Sequence, residues 1–240
     1  EFRRSDLSGA SCEKACENNT CRTDSSLALK DNACNAEDYQ MQIEYACGTT
    51  DITRTFAVGP LTDEEKMYFT LVLKGHLRLA GARFKKGVRG VNLDYLAREP
   101  IWAIGKDFSH GTGHGVGYLL NVHESPNSFR YRTLSGRATD CVINEGMVTS
   151  DEPGIYFEGK FGIRHENLIE CILDEKNEYG EFLRFEHLTL VPFDPDGIDE
   201  TLLSDQEKKL LAKYQQRVYR EVSPYLNDHE RIWLKNICNV

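Results

Sequence analysis

The sequence predicts an α+β fold. Three observations lead there. β-branched and aromatic residues recur in short runs after residue 50 and again after residue 147. Helical periodicity takes over from residue 204 to the end. No self-similarity at a period of roughly 20–50 residues points to a solenoid or propeller. Strands followed by helices in this order suit an α+β domain.

The elements follow in order. Residues 1–47 are polar and rich in Ser, Asn, Asp and Cys, and read as loops with one strand, Tyr39 to Tyr45. Asp51 to Val58 alternates as a strand does. Thr62 opens a helix that runs to about Arg83. Thr62 and Glu65 have capping-box spacing, so each satisfies a free backbone donor of the other. Met67, Leu71, Leu77 and Ala80 give that helix an apolar stripe for the core. Gly87 and Gly90 mark a turn. A second helix is expected over 91–99, stopped by Pro100, which removes a backbone donor and clashes with the preceding turn. Residues 124–144 read as an ordered loop rich in Ser, Arg and Asn. Met147 to Asp151, Gly162 to Leu173 and Phe182 to Pro192 read as strands. Ser204 to Val222 is a helix with Asp205 and Glu207 in its first turn, and Asp228 to Ile237 is the last.

Composition limits the function. At 240 residues the chain is one large domain or one domain with a small appendage. A chain of this size buries roughly 70–75% of its unfolded surface, so it needs neither metal nor disulfide to fold. The net charge is −9, from 38 acidic and 29 basic residues. No nucleic-acid partner is therefore expected. No apolar run reaches membrane-spanning length, so no membrane partner is expected either.

The eight cysteines are uneven. Cys12, Cys16, Cys21, Cys34 and Cys47 crowd the first 47 residues, and Cys141, Cys171 and Cys238 are scattered. Dense cysteines suggest mutual disulfides in an oxidising compartment. Asn18-Asn19-Thr20 is a glycosylation sequon, meaningful in a secreted chain.

The chemistry centres on HGTGHGVGYLLNVHE, from His110 to Glu124. It holds His110, His114 and His123, with glycines on both sides of His114. Imidazole is the commonest metal ligand and the commonest proton carrier near neutral pH. Flanking glycines let the backbone come close to whatever the His114 ring holds. Two acids follow, Glu152 in VTSDEPGIY and Glu166 in FGIRHEN, and Asp51 lies upstream in GTTDITRT. One Asp, one His and two Glu suit Mn²⁺, Co²⁺, Fe²⁺ or Zn²⁺ better than Ca²⁺ or a cysteine zinc site. Carboxylates that bridge allow two ions about 3.5–4 Å apart and a hydroxide nucleophile at neutral pH. A serine nucleophile has less support, since no GxSxG motif occurs.

These four motifs together resemble the catalytic domain of Xaa-Pro aminopeptidase, aminopeptidase P, of the pita-bread metallopeptidases that include methionine aminopeptidase and prolidase. The resemblance covers roughly four-fifths of the chain, from about Gly48 onwards. It implies an α+β pita-bread domain over 48–240, with residues 1–47 a cysteine-rich segment of unknown role standing where the fold's first helix and strands belong. It implies Asp51, His114, Glu152 and Glu166 as metal ligands, Asp51 and Glu166 bridging. It assigns His110 and His123 to substrate binding and proton transfer, Glu152 to proton abstraction, and Tyr156 and Arg164 to the proline pocket. The implied substrates are peptides with proline second, the implied cofactor a divalent ion, Mn²⁺ first, with Co²⁺, Zn²⁺ or Fe²⁺ as alternatives. Relatives of this kind are mostly cytoplasmic, whereas the N-terminal cysteines lean towards secretion.

One position departs from the pattern. The family's further Asp ligand falls at Gln40, counted back from Asp51, and Gln is a poor ligand. Asp38, two residues earlier and on the same face of an extended segment, could substitute only if the loop is longer. One firm ion site and a weak second are therefore expected. The alternative to an aminopeptidase is a pita-bread module that binds peptides or proteins without cleaving them.

Overall fold

The computed structural model describes residues 36–45, 48–117, 121–132 and 141–240, with 36–45 and Gly48 described by backbone alone. Among the described residues, a nine-stranded antiparallel sheet is packed against four α-helices. The strands are β1 (Ala36–Tyr45), β2 (Gly48–Ala57), β3 (Arg83–Lys85), β4 (Gly113–Val116), β5 (His123–Phe129), β6 (Val148–Asp151), β7 (Gly154–Phe157), β8 (Phe161–Asn177) and β9 (Gly180–His187). The helices are α1 (Asp63–Ala80), α2 (Gly90–Trp102), α3 (Asp205–Val222) and α4 (Asp228–Cys238). The main path runs β1-β2-β8-β6-β4-β5, with β7 and β9 also on β8 and β3 on β9. β8 is the spine. Its first half pairs with β2 and β7, its second half with β6 and β9.

Helix α1 joins the core. Thr62 caps it in the expected box with Glu65. Phe69 and Val72 pack with Ile101, Phe108, Ile155 and Ile163. Leu73 and Leu77 pack with Phe193, Tyr214, Val218 and Leu234. Leu79 reaches the cluster of Ala97, Phe129 and Ile169. Gly75 admits α2 at close range, since a Cβ there would stand 2.3 Å from the Ala97 carbonyl oxygen. The same box logic starts α3 at Ser204 and Glu207.

Several expectations need correction. Helix α2 runs through Pro100 to Trp102. Proline so near a helix end forfeits one backbone bond of a turn that is closing anyway, and Pro100 is buried. Residues 124–129, expected as loop, lie within β5, held by the β4 ladder rather than by their own propensity. Residues 133–140 of that expected loop lie outside the described residues. β9 stops at His187 rather than at Pro192. Beyond it the backbone is held by side chains, with Leu168 N donating to Thr189 Oγ1 and Val191 N to the Tyr214 hydroxyl. β1 and β2 pair along their whole length. The cysteines of residues 1–47 and their expected pairing lie outside the described residues. Cys171 and Cys238 are buried free thiols. Among the described residues no helix is long and apolar enough to cross a membrane.

A cost is visible at His165. It is fully buried on β8, between the rings of Phe69 at 4.4 Å and Phe193 at 5.3 Å. Burial pushes its imidazole well below the usual range, and the Arg54 guanidinium adds to that. Above the unfolded value, near 6.5, this costs nothing. As pH falls below that value the unfolded chain takes up a proton that the folded chain refuses, so stability is lost. His165→Ile keeps a β-branched apolar side chain in the strand. It is expected to match or exceed wild-type stability at pH 8, with the gap widening by about 2 kcal/mol at pH 5. Urea melts of both proteins at the two pH values check this, and a gap that does not grow contradicts it.

Candidate metal centre

Asp51, His114, Glu152 and Glu166 arrive from four segments and meet. Asp51 sits on β2, His114 on β4, Glu152 just past β6, and Glu166 on β8. Thr53 lies opposite Glu166 in the β2–β8 ladder, so Asp51, two residues earlier, shares Glu166's face. One ligand atom each of Asp51, His114 and Glu166 lies within 4.8 Å of the others. His114 Nε2 is 3.2 Å from Asp51 Oδ2 and 3.2 Å from Glu152 Oε1.

The glycines flanking His114 make this possible. A Cβ on Gly113 would stand 1.8 Å from the Ser150 carbonyl oxygen, and one on Gly115 would stand 2.4 Å from that of Glu124. β4 thus lies tight between β6 and β5, and the ring between the two glycines is pinned. His114 N donates to Ser150 Oγ at 2.9 Å, and Ser150 Oγ donates to Glu152 Oε1 at 3.0 Å. His114 Nδ1 lies 2.9 Å from the Gly115 carbonyl oxygen, which leaves Nε2 for the carboxylates. Glu152 N donates to the Thr112 carbonyl at 2.8 Å.

The electrostatics are those of a site built for a cation. Burial lowers the His114 imidazole, but Asp51 and Glu152 outweigh it and hold it at about 10. Burial raises the Glu166 carboxyl well above its ordinary value, and Glu152 and Asp51 add to this, while Arg164 and Thr53 oppose it. Three carboxylates and an imidazole crowded out of water need positive charge or protons. A divalent transition ion answers both the charge and the mixed oxygen and nitrogen donors.

A second group lies alongside. Tyr156 on β7 and Arg164 on β8 come from adjacent strands, with Tyr156 opposite Gly162. His110 Nε2 is 2.8 Å from the Tyr156 hydroxyl, and Arg164 Nη1 donates to the same oxygen at 3.4 Å. Burial lowers the His110 imidazole. The His123 ring lies 4.2 Å from the His114 ring, and burial and His114 lower it too. Both histidines are thus neutral at neutral pH and able to accept a proton.

Two supporting residues escape the motif reading. Ser150 is the link just described. Thr53 donates to Glu166 Oε2 and accepts from Arg164 Nε at 2.9 Å. Strand alternation signals both, since each lies two residues from a site carboxylate and so on its face. The expected departure at Gln40, with Asp38 as its substitute, falls on β1. The ladder sets Gln40 opposite Thr53, Asp38 opposite Thr55 and Gln42 opposite Asp51, and the side chains of β1 lie outside the described part of the structure.

Comparison with known proteins identifies the family. Residues 23–172 match the model of metallopeptidase family M24, and residues 181–240 match the C-terminal region of peptidase M24. A probable Xaa-Pro aminopeptidase P of Laccaria bicolor is 41% identical over 202 residues, 82% of this chain and 31% of the relative. A probable Xaa-Pro aminopeptidase P of Aspergillus niger is 45% identical over 197 residues, 80% of this chain and 32% of the relative. Among solved structures, an X-prolyl aminopeptidase from Caenorhabditis elegans, described as a cytosolic enzyme with a di-nuclear active site, superposes with TM-score 0.77. It is 39% identical, over 85% of this chain and 33% of its own. Prolidase from Pyrococcus furiosus matches with TM-score 0.52 and 31% identity, over 65% of this chain and 41% of its own. The chain spans about a third of the length of the curated relatives it matches. It belongs to metallopeptidase family M24 and has that family's pita-bread α+β fold.

Proposed function

We propose that residues 48–240 form the catalytic domain of a metal-dependent aminopeptidase that removes the first residue from peptides with proline second. The observation that carries this is the meeting of Asp51, His114, Glu152 and Glu166 beside the His110–Tyr156–Arg164 group. Those four side chains would hold the metal, with Mn²⁺ the first choice, and Asp51 and Glu166 are the carboxylates that would serve a second ion. A divalent ion there supplies Lewis acidity and a water that ionises near neutral pH. Binding displaces the His114 proton, since only the neutral imidazole ligates.

The chain's own residues do the rest. Glu152, whose Oε1 accepts from Ser150, takes the proton from the attacking water. His123, neutral beside His114, donates to the scissile carbonyl as charge develops on it. His110 binds the substrate backbone from its place on the Tyr156 hydroxyl. Tyr156 and Arg164 form one wall of the proline pocket. The test is hydrolysis of an Xaa-Pro peptide by metal-stripped protein with and without added Mn²⁺, beside a peptide with Ala second. Cleavage that needs Mn²⁺ and proline is expected. Peptide binding without cleavage at any metal concentration contradicts the reading and favours a non-catalytic binding module.

That second reading draws on one feature, Gln40 at the position of a family ligand. With Gln40 there, a first ion would have four protein groups to hold it, and a second only Asp51 and Glu166. Loss of even an outer partner commonly weakens metal binding about 10–100-fold. One firm ion, a weak second and activity that climbs with excess metal are therefore expected. Gln40→Asp is expected to tighten the second site at least about 10-fold and to raise turnover at low metal. An unchanged metal titration in this variant would mean that β1 contributes no ligand there.

A further inference from the structure

Behind the candidate centre, on the opposite face of the sheet, lies a buried polar chain that none of the steps above uses. Arg54 follows Thr53 on β2, Asn167 follows Glu166 on β8, and Asp151 precedes Glu152 at the end of β6. Strand alternation turns these three away from Thr53 and Glu166, and the ladder sets Asp151 opposite Asn167. Arg54 is 2% exposed, and Asn167, Asp151 and His76 are each 0% exposed. Arg54 Nη2 donates to Asn167 Oδ1 at 2.5 Å and to the Val191 carbonyl at 3.1 Å. Asn167 Nδ2 donates to His76 Nε2 at 3.3 Å and to His187 Nδ1 at 3.0 Å. With Nε2 accepting, His76 carries its proton on Nδ1, which lies 3.2 Å from both the backbone oxygen and Oδ2 of Asp151. The Arg54 guanidinium also stacks on the Phe193 ring at 3.9 Å.

We infer that Arg54, Asn167 and His76 are positioning residues that fix the spacing of β2, β8 and β6, and hence of Asp51, Glu166 and Glu152, before any metal arrives. This rests on the metal-centre reading. The physical ground is the cost of the chain. Burying the Arg54 guanidinium and the Asp151 carboxyl is expensive, and leaving a buried polar group without its partner costs more still. A core that needed only cohesion would be served by apolar side chains of the same volume. The hydrogen bonds, unlike apolar contacts, have one geometry. Arg54–Asn167 joins β2 to β8 directly, and Asn167–His76–Asp151 joins β8 to β6 by way of α1. Metal sites depend on partners of this kind to hold their ligands in register.

Two measurements test it, both with Co²⁺ alone as the probe. In the first, wild-type amides at residues 51–54, 148–152 and 165–168 are followed by hydrogen exchange with and without Co²⁺. Equal protection in both is expected. Protection gained only with Co²⁺ would show that the metal organises the strands, and would overturn the inference. In the second, Asn167→Leu is titrated with Co²⁺ far below its melting temperature. Binding about 10–100-fold weaker and an altered visible Co²⁺ spectrum are expected. A folded variant with wild-type affinity and spectrum overturns the inference and leaves the metal centre intact. Should the variant not fold, the exchange result decides. Wild-type protein that binds no Co²⁺ overturns both readings.

Discussion

Glu152→Ala is expected to lower turnover of an Xaa-Pro peptide by about 10²–10⁴-fold, the usual worth of a proton-transfer group, and to weaken metal binding at least about 10-fold. Glu152 stands in both roles, 3.2 Å from His114 Nε2 and fixed by Ser150. Its backbone is held independently through the Thr112 carbonyl, so the local fold survives the change. Metal analysis beside steady-state kinetics checks the two halves. Normal turnover with normal metal content would contradict this account of Glu152.

His123→Ala is expected to lower turnover by about 10²–10⁴-fold while metal content stays normal. The ring lies beside His114 without joining its carboxylate contacts, and burial and the His114 charge keep it neutral. The backbone N donates to Asn121 Oδ1 at 2.9 Å, so the segment keeps its shape without the ring. Metal analysis alongside kcat and KM separates the roles. Lost metal would make His123 a ligand, and unchanged turnover would remove it from the chemistry.

What the sequence discloses of the fold is what is decided locally. The α1 and α3 starts are legible because a capping box is a contact between residues three apart. The site side chains are legible because glycine, histidine and acid types carry their chemistry in a few residues. β4 is hidden for a related reason. Its two glycines have no strand propensity, and it becomes a strand by being clamped between β5 and β6. β5 is hidden because Ser, Pro and Asn read as loop until a partner ladder holds them. The Thr53–Glu166 and Arg54–Asn167 contacts each join residues 113 apart. No window of sequence contains them, although strand alternation says which faces Thr53 and Arg54 take once β2 and β8 are known to pair. Pro100 shows the reverse case, a strong local signal overridden because the helix was ending and the ring could be buried.

If Asp51, His114, Glu152 and Glu166 form one metal site, equilibrium dialysis of metal-stripped protein against Mn²⁺, with wild type and His114→Ala side by side, will show it. One tightly held Mn²⁺ per wild-type chain is expected, with a second taken up only at much higher concentration, and loss of the tight ion in His114→Ala. Wild-type protein that holds no Mn²⁺, or a His114→Ala variant that holds it as firmly as wild type, would contradict it.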